Sequence, residues 1–232
     1  MDARTVAGVT AAAVSAAGYA VRGRSSQVFG RSFWHGNAAR PEIALTFDDG
    51  PSESTPALLD ALAKYGVHAT FFMCGQNVRR LPDIARAVQA AGHEIGNHSD
   101  SHPYLHFKTA DFIYGELAAA QASIGEVTGA KPRWFRAPFG VRWFGVGAAQ
   151  QRLGLTGVMW DVMGCDWKWP GHRVTEHILR RSGRGSIVCL HDGRRVQAAP
   201  EIGSTLEAVA GVIPQLKDRG LRFVTVSEIL QD

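Results

Sequence analysis

Two carboxylates stand side by side at the end of an apolar run, Asp48 and Asp49 in IALTFDDGP. Adjacent like charges repel and raise one another's pKa, so the pair needs a cation or a proton, unless it merely caps the next helix in solvent. Further on, NHSDSHP carries His98 and His102 four residues apart. On a helical turn both imidazoles project from one face. With one carboxylate they make a two-His, one-Asp set that leaves coordination positions open for water or substrate. Alone, an HxxxH pair more often marks two loop histidines. Beside a paired-Asp strand end, and with Pro103 fixing the turn, the metal reading is the stronger. One aspartate is then a ligand and the other is not, and the cation neutralises their repulsion. Such an ion also brings the pKa of a water toward neutrality, where a nearby carboxylate can take the proton.

The elements that hold these residues emerge from the rhythm of the chain. From residue 41, short β-branched or aromatic runs alternate with longer helical stretches. Strands are predicted at 43–47, 69–73, 94–96, 134–136, 157–160, 186–190 and 222–226. TPALLDALAKYG and LPDIARAVQAAG show apolar spacing of three and four and end at Gly. STLEAVAGVIPQLKDRG reads as a helix that Pro214 should kink. Strands alternating with helices imply a parallel sheet with helical crossovers, either doubly wound or a barrel. The reactive residues fall at C-terminal strand ends: Asp48 and Asp49 after the first strand, His98 and His102 after the third, and Arg136 closing the fourth. Asp161 and Asp166 come after the fifth, and His191 and Asp192 after the sixth. In a barrel, that edge gathers side chains from separate strands into one site.

Bulk properties set the frame. With 232 residues and 45% hydrophobic content the chain can bury one sizeable core. The net charge of +4 is mild, and RRSGRG and GRR read as solvated loops, so no nucleic-acid partner is expected. Cys74, Cys165 and Cys189 show no zinc-finger or CxxC spacing, and Cys74 and Cys189 read as small core residues. Val6–Val21 is uncharged and Ala-rich, with Arg4 before it and Arg22 and Arg24 after it. That suits a signal-peptide core or weak membrane anchor, and equally an Ala-rich helix packed on the domain. The stronger positive flank on the C-terminal side weighs against export of the downstream chain. The expected division is 1–40, an apolar segment with its linker, and 41–232, the catalytic domain of a monomer.

Over 41–230 the chain resembles the NodB-type polysaccharide deacetylases, carbohydrate esterase family 4. TFDDGP is similar to their first motif, and ATFFMCG and AGHEIGNHSDSHP to the segment ending in His-x-x-x-His. FRAPFG is similar to their Arg-x-Pro-Phe/Tyr-Gly motif, GSIVCLHD to the closing Leu-x-His motif, and GLRFVTVSEIL to the last strand. The resemblance implies an α/β fold, an irregular (β/α) barrel of about seven parallel strands. It implies a divalent metal, commonly zinc, with Co2+, Ni2+ or Mn2+ acceptable to the same ligands. The implied reaction removes N-acetyl groups from amino-sugar polymers such as peptidoglycan, chitin-like chains or exopolysaccharide. The implied setting is extracytoplasmic or membrane-anchored, with residues 6–21 touching the membrane; residues 1–40 also leave a cytoplasmic location open.

Carried across by motif, the resemblance implies Asp49, His98 and His102 as metal ligands and Asp48 as general base. Arg136 would hold Asp48 charged, His191 would protonate the departing amine, and the Phe139 N–H would stabilise the oxyanion, with Gly140 beside it in the substrate-contacting turn. Trp167, and Cys189 where the family usually has Leu, would wall the pocket for the acetyl methyl. The fourth signature, Asp-x-x-Asp-Trp, departs from the pattern. WDVMGCDWKW keeps Asp166 and Trp167, but Met163 occupies the first position, whose Asp is expected to partner the catalytic His. Asp161, two residues earlier, would face the same side of an extended strand and orient His191, with an ordinary strand-end cap as its alternative. Trp160, Trp167 and Trp169 are candidates to stack on sugar rings, and Asp192 reads as structural. Two rivals stand beside this: an O-acetyl esterase or small cyclic-amide hydrolase on the same scaffold, and a non-catalytic glycan-binding relic favoured only by Met163.

Overall fold

The apolar run before the paired carboxylates forms a strand buried at all nine positions, Glu42–Gly50. The computed structural model describes residues 3–231, with nine strands among them. These are β1 (Ser32–Phe33), β2 (Glu42–Gly50), β3 (Thr70–Met73), β4 (Glu94–Asn97), β5 (Trp134–Phe135), β6 (Thr156–Val158), β7 (Val162–Met163), β8 (Ile187–His191) and β9 (Arg222–Phe223). Their spatial order is β1-β6-β5-β4-β3-β2-β8-β7, with β9 pairing the start of β2. Every strand pairing is parallel. The result is the irregular (β/α) barrel that the family resemblance implies, one of the two arrangements the alternation allows, with β1 and β7 at the two ends of the row. Those two strands lie outside the seven predicted. The fifth predicted strand stops at Val158, and the chain resumes as β7 beside β8. The last stops at Phe223, and Val226 instead opens a helix.

The helices are α1 (Ala3–Arg22), α2 (Thr55–Lys64), α3 (Gly75–Arg80), α4 (Pro82–Ala90), α5 (Ala110–Thr128), α6 (Val146–Leu153), α7 (Gly171–Arg181), α8 (Gly203–Asp218) and α9 (Val226–Ile229). Ile43, Leu45 and Phe47 of β2 pack in one cluster with Leu58 and Leu62 of α2 and Val209, Val212 and Leu216 of α8. Alternation leaves Ala44, Thr46 and Asp48 for the barrel interior. α5 begins where the Thr109 hydroxyl accepts the Phe112 N–H at 3.2 Å and ends at Gly129, whose φ of 73° suits a residue without Cβ. Pro214 does not interrupt α8. Its ring leaves the Ala210 carbonyl without a helical donor, and the Tyr65 hydroxyl donates to that carbonyl at 3.4 Å.

The end of α1 is docked on the domain. The Val21 carbonyl accepts the Arg142 N–H at 3.0 Å, and the Arg142 guanidinium donates to the Ser26 carbonyl at 2.7 Å and to that of Gly23. Residues 12–19 are exposed. No described helix is long and apolar enough to cross a membrane.

Candidate active site and metal centre

Neighbouring residues of a regular strand point to opposite faces, which would keep Asp48 and Asp49 apart. β2 avoids this with a bulge. Asp48 pairs with Phe72 and Gly50 with Met73, so Asp49 is skipped, and it adopts the left-handed φ of 73°. Both carboxylates then reach one imidazole: His98 Nε2 lies 3.9 Å from Asp48 Oδ2 and 3.3 Å from Asp49 Oδ1. Gly50 and Gly193 allow the crowding, since a Cβ at either would overlap the Asp192 carboxylate or the Asp49 carbonyl.

The donor set at Asp49 fits a cation. Its Oδ1 is buried without a hydrogen-bond partner and faces His98 Nε2 and, at 2.9 Å, His102 Nε2. Its Oδ2 accepts the Arg195 N–H at 2.7 Å. His98 Nδ1 donates to the Arg136 carbonyl at 2.7 Å, which fixes the tautomer with Nε2 free for a metal. Burial pushes the His102 imidazole down, keeping it in the neutral form a ligand requires. One carboxylate and two imidazoles with ligand atoms within 4.8 Å of one another could hold a divalent ion, and three protein donors would leave positions open.

Asp48 sits beside this centre but is tied elsewhere. Arg136 donates to Asp48 Oδ1 at 2.7 Å, and its remaining bonds go to Thr46 Oγ1 at 2.6 Å and the Val158 and Met159 carbonyls, each at 3.1 Å. The guanidinium is fully buried and lies 4.1 Å from the centre of the Phe72 ring. A charge-assisted pair in so dry a setting fixes the carboxylate's direction.

The opposite wall carries His191. Its Nδ1 bonds Asp166 Oδ1 at 2.9 Å, and Asp166 Oδ2 accepts the His191 N–H at 2.9 Å and the Thr205 hydroxyl at 2.6 Å. Burial alone would lower the imidazole, but the Asp166 carboxylate overrides it and pushes His191 up to about 9. The carboxylate on the histidine is therefore Asp166, not Asp161 and not a residue at position 163. Asp161 accepts the Ser186 hydroxyl at 2.7 Å and the Ile187 N–H at 2.8 Å, at the entry end of β8. The register explains the correction. Val162 pairs with Val188 and Met163 with Cys189, so the chain runs along β8 toward its exit and delivers Asp166 to His191. Burial raises the Asp161 carboxyl, and its place is that of a strand-end cap.

These groups share a cavity of about 550 Å³. Phe139 lines it from a left-handed turn (φ 58°), its ring 4.6 Å from that of His102, with Tyr104 stacked on it at 3.8 Å. Trp167 lines the far side, edge-on to His191 at 4.9 Å and about half exposed. Trp160 and Met163 also line it, whereas Trp169 packs against the core. Two expected contact residues sit behind the wall. Cys189 is fully buried with its Sγ 3.4 Å from Asp48 Oδ2, and burial holds the thiol protonated. Gly140 is buried beneath Trp160, whose Cη2 a Cβ would meet at 2.9 Å. Asp192 is buried and accepts the Thr55 hydroxyl at 2.6 Å. Sequence reasoning misses Arg22, Arg194 and Arg195 as lining residues; only the short GRR run signals two of them.

Residues 35–158 match the family model described as polysaccharide deacetylase. A peptidoglycan-N-acetylglucosamine deacetylase of Bacillus cereus is 34% identical over 200 residues, covering 83% of this chain and 69% of that protein. A peptidoglycan-N-acetylmuramic acid deacetylase of Bacillus subtilis is 34% identical over 205 residues, covering 86% and 75%. A crystal structure of a peptidoglycan N-acetylglucosamine deacetylase superposes with a TM-score of 0.81 at 32% identity, covering 86% of this chain and 92% of the other. With the motif residues gathered around one cavity and these likenesses spanning most of the chain, the chain belongs to the NodB-type polysaccharide deacetylases, carbohydrate esterase family 4, and is a hydrolase of acetylated amino-sugar polymers.

Proposed function

We propose that the chain removes N-acetyl groups from a cell-wall glycan, with Asp48 as general base, His191 as general acid and zinc as the working metal. The observation that carries this is the pairing of a free-faced Asp-His-His set with a separately anchored carboxylate on one side and a charged imidazole on the other. Asp49, His98 and His102 would hold a divalent ion, which when bound would supply Lewis acidity toward the acetyl carbonyl and the attacking water. Arg136 keeps Asp48 aimed at the cavity, where its carboxylate takes a proton from the attacking water. His191, held by Asp166 and Thr205, gives its proton to the departing amine. The Phe139 N–H is the main-chain donor for the developing oxyanion, a role that leaves its side chain free to be Phe. The relatives named for peptidoglycan support a cell-wall substrate and an extracytoplasmic place of action.

The test is acetate release by the full chain from N-acetylglucosamine oligomers, peptidoglycan and acetylated xylan, each with zinc and with chelator. Release from the amino-sugar substrates, abolished by chelator and restored by zinc, is expected. Release from xylan alone would make the chain an O-acetyl esterase.

A further inference from the structure

Three guanidiniums line the catalytic cavity and play no part in the chemistry of deacetylation: Arg22, Arg194 and Arg195. Among the described residues, no carboxylate lies within ion-pair distance of any of them. The hydrogen bonds of the first two go to main-chain oxygens. Arg22 donates to the Phe139 carbonyl at 3.5 Å, and Arg194 to the carbonyls of Gly193 at 3.0 Å and Asp166 at 3.5 Å. The Arg195 guanidinium lies over the Phe139 ring, 5.1 Å from its centre. Arg22 and Arg195 therefore flank the same residue, whose ring touches the metal ligand His102. Arg194 stands on the side of the acid.

The charges facing the cavity do not cancel this set. Asp48 is neutralised by Arg136 behind it, and Asp49 belongs to the cation site. The rim is left with Arg22 and Arg195, exposed and without a carboxylate in ion-pair distance, and with half-buried Arg194, whose charge is also felt by Asp166; together they make the field at the cavity mouth positive. Arg22 reaches this rim because Arg142 stitches the chain just beyond α1 onto the domain, and Arg24, donating to the Asp161 carbonyl at 3.0 Å, adds a second stitch.

We propose that Arg22, Arg194 and Arg195 select an N-acetylated amino sugar that carries a carboxylate close to its acetamido group. In a hexosamine, C2 bears the acetamido and C3 is its ring neighbour, so a carboxylate carried on O3 sits within a side chain's length of the reacting carbonyl. The N-terminal segment is thus part of the substrate site, and a chain trimmed through residue 24 lacks one arm of it. This rests on the deacetylase reading and adds the substrate's charge to it.

The test uses the full-length, zinc-loaded protein and peptidoglycan glycan strands stripped of their peptides, which carry such a carboxylate. The comparison substrate is the same strand with that carboxylate amidated. The kcat/KM for acetate release is expected to be about tenfold higher on the acidic strand, the combined effect of solvent-exposed charge contacts worth about threefold each. Arg22→Gln and Arg194→Gln should each cut that ratio about threefold, and Arg22→Lys should recover part of the loss. Arg195 is left in place because its left-handed backbone (φ 54°) and its N–H to Asp49 belong to the metal centre. Equal rates on the two strands, or a ratio that survives both substitutions, would overturn the proposal and leave the deacetylase reading intact. Calorimetric binding of both strands to zinc-loaded Asp48→Asn runs in parallel. If neither strand releases acetate, the deacetylase reading fails. Tighter binding of the acidic strand, lost in Arg22→Gln, would then still support the arginine set, and equal binding would refute it.

Discussion

The two proton-handling walls of the cavity are built on different principles. On the base side, Asp48 and Arg136 have side chains 5% and 0% exposed, and the guanidinium is bound on all sides. On the acid side, the His191 side chain is 15% exposed and depends on one carboxylate and one hydroxyl beneath it. A buried ion pair is hard to dismantle, because removing either member strands the other in a low dielectric. A partly exposed imidazole is cheaper to disturb, and what its partner controls is the pKa. The base wall thus carries stability and direction, and the acid wall carries pH dependence.

Substitutions separate the two, and Arg136→Met should have the largest effect. It leaves Asp48 unpaired and is expected to cost about 3–5 kcal/mol of stability, read as a lowered midpoint in urea, together with loss of acetate release. A stable, active Arg136→Met would show that the base wall is not built on this pair. Asp166→Asn should spare stability by comparison and move the pH profile. His191 must be protonated to serve as acid, so activity falls as pH rises through its pKa, which Asp166 holds at about 9. A bound divalent cation works against protonation, so the alkaline limb of the loaded enzyme lies at or below that value. Removing the carboxylate leaves burial opposed only by the weaker influence of Asp49 and Asp48 and shifts the limb toward acid, with a rate loss of about tenfold for each unit above the new pKa. Thr205→Val, which removes a donor that draws charge from Asp166, leaves that carboxylate a stronger partner for the imidazolium and should move the limb slightly the other way, toward alkaline pH. Asp161→Asn should leave the limb where it is and cost about 1 kcal/mol, the loss of a strand-end cap. A limb displaced by Asp161→Asn and not by Asp166→Asn would make Asp161 the histidine's partner after all.

What can be read from the chain divides along the same line. The base wall and the metal centre come from residues inside or just after long, strongly patterned strands. β2 announces itself by an unbroken apolar run, and an Asp pair, an HxxxH and an Arg at successive strand exits need only the barrel edge to be gathered. The acid wall hangs on β7, a two-residue strand with no periodicity to detect. Without its register against β8, Asp161 looks as well placed as Asp166. The motif position of Cys189 points it to the pocket, but inward alternation on β8 sets it behind Asp48. Backbone strain is equally invisible. Asp49, His102, Phe139 and Arg195 all adopt positive φ (73°, 57°, 58° and 54°), at about 1–3 kcal/mol each. No residue type among them advertises that conformation. Arg22 is legible only in three dimensions, since it flanks a segment whose composition suits a leader and a packed helix equally.

The most direct test of this division is to measure bound zinc and acetate release together in two substitutions of the paired aspartates. Asp49→Asn should lose both the metal and the activity, whereas Asp48→Asn should keep close to one zinc per chain and lose activity by about a hundredfold or more. Loss of zinc in Asp48→Asn, or near-normal activity with its zinc retained, would contradict the assignment of one aspartate to the metal and the other to the proton.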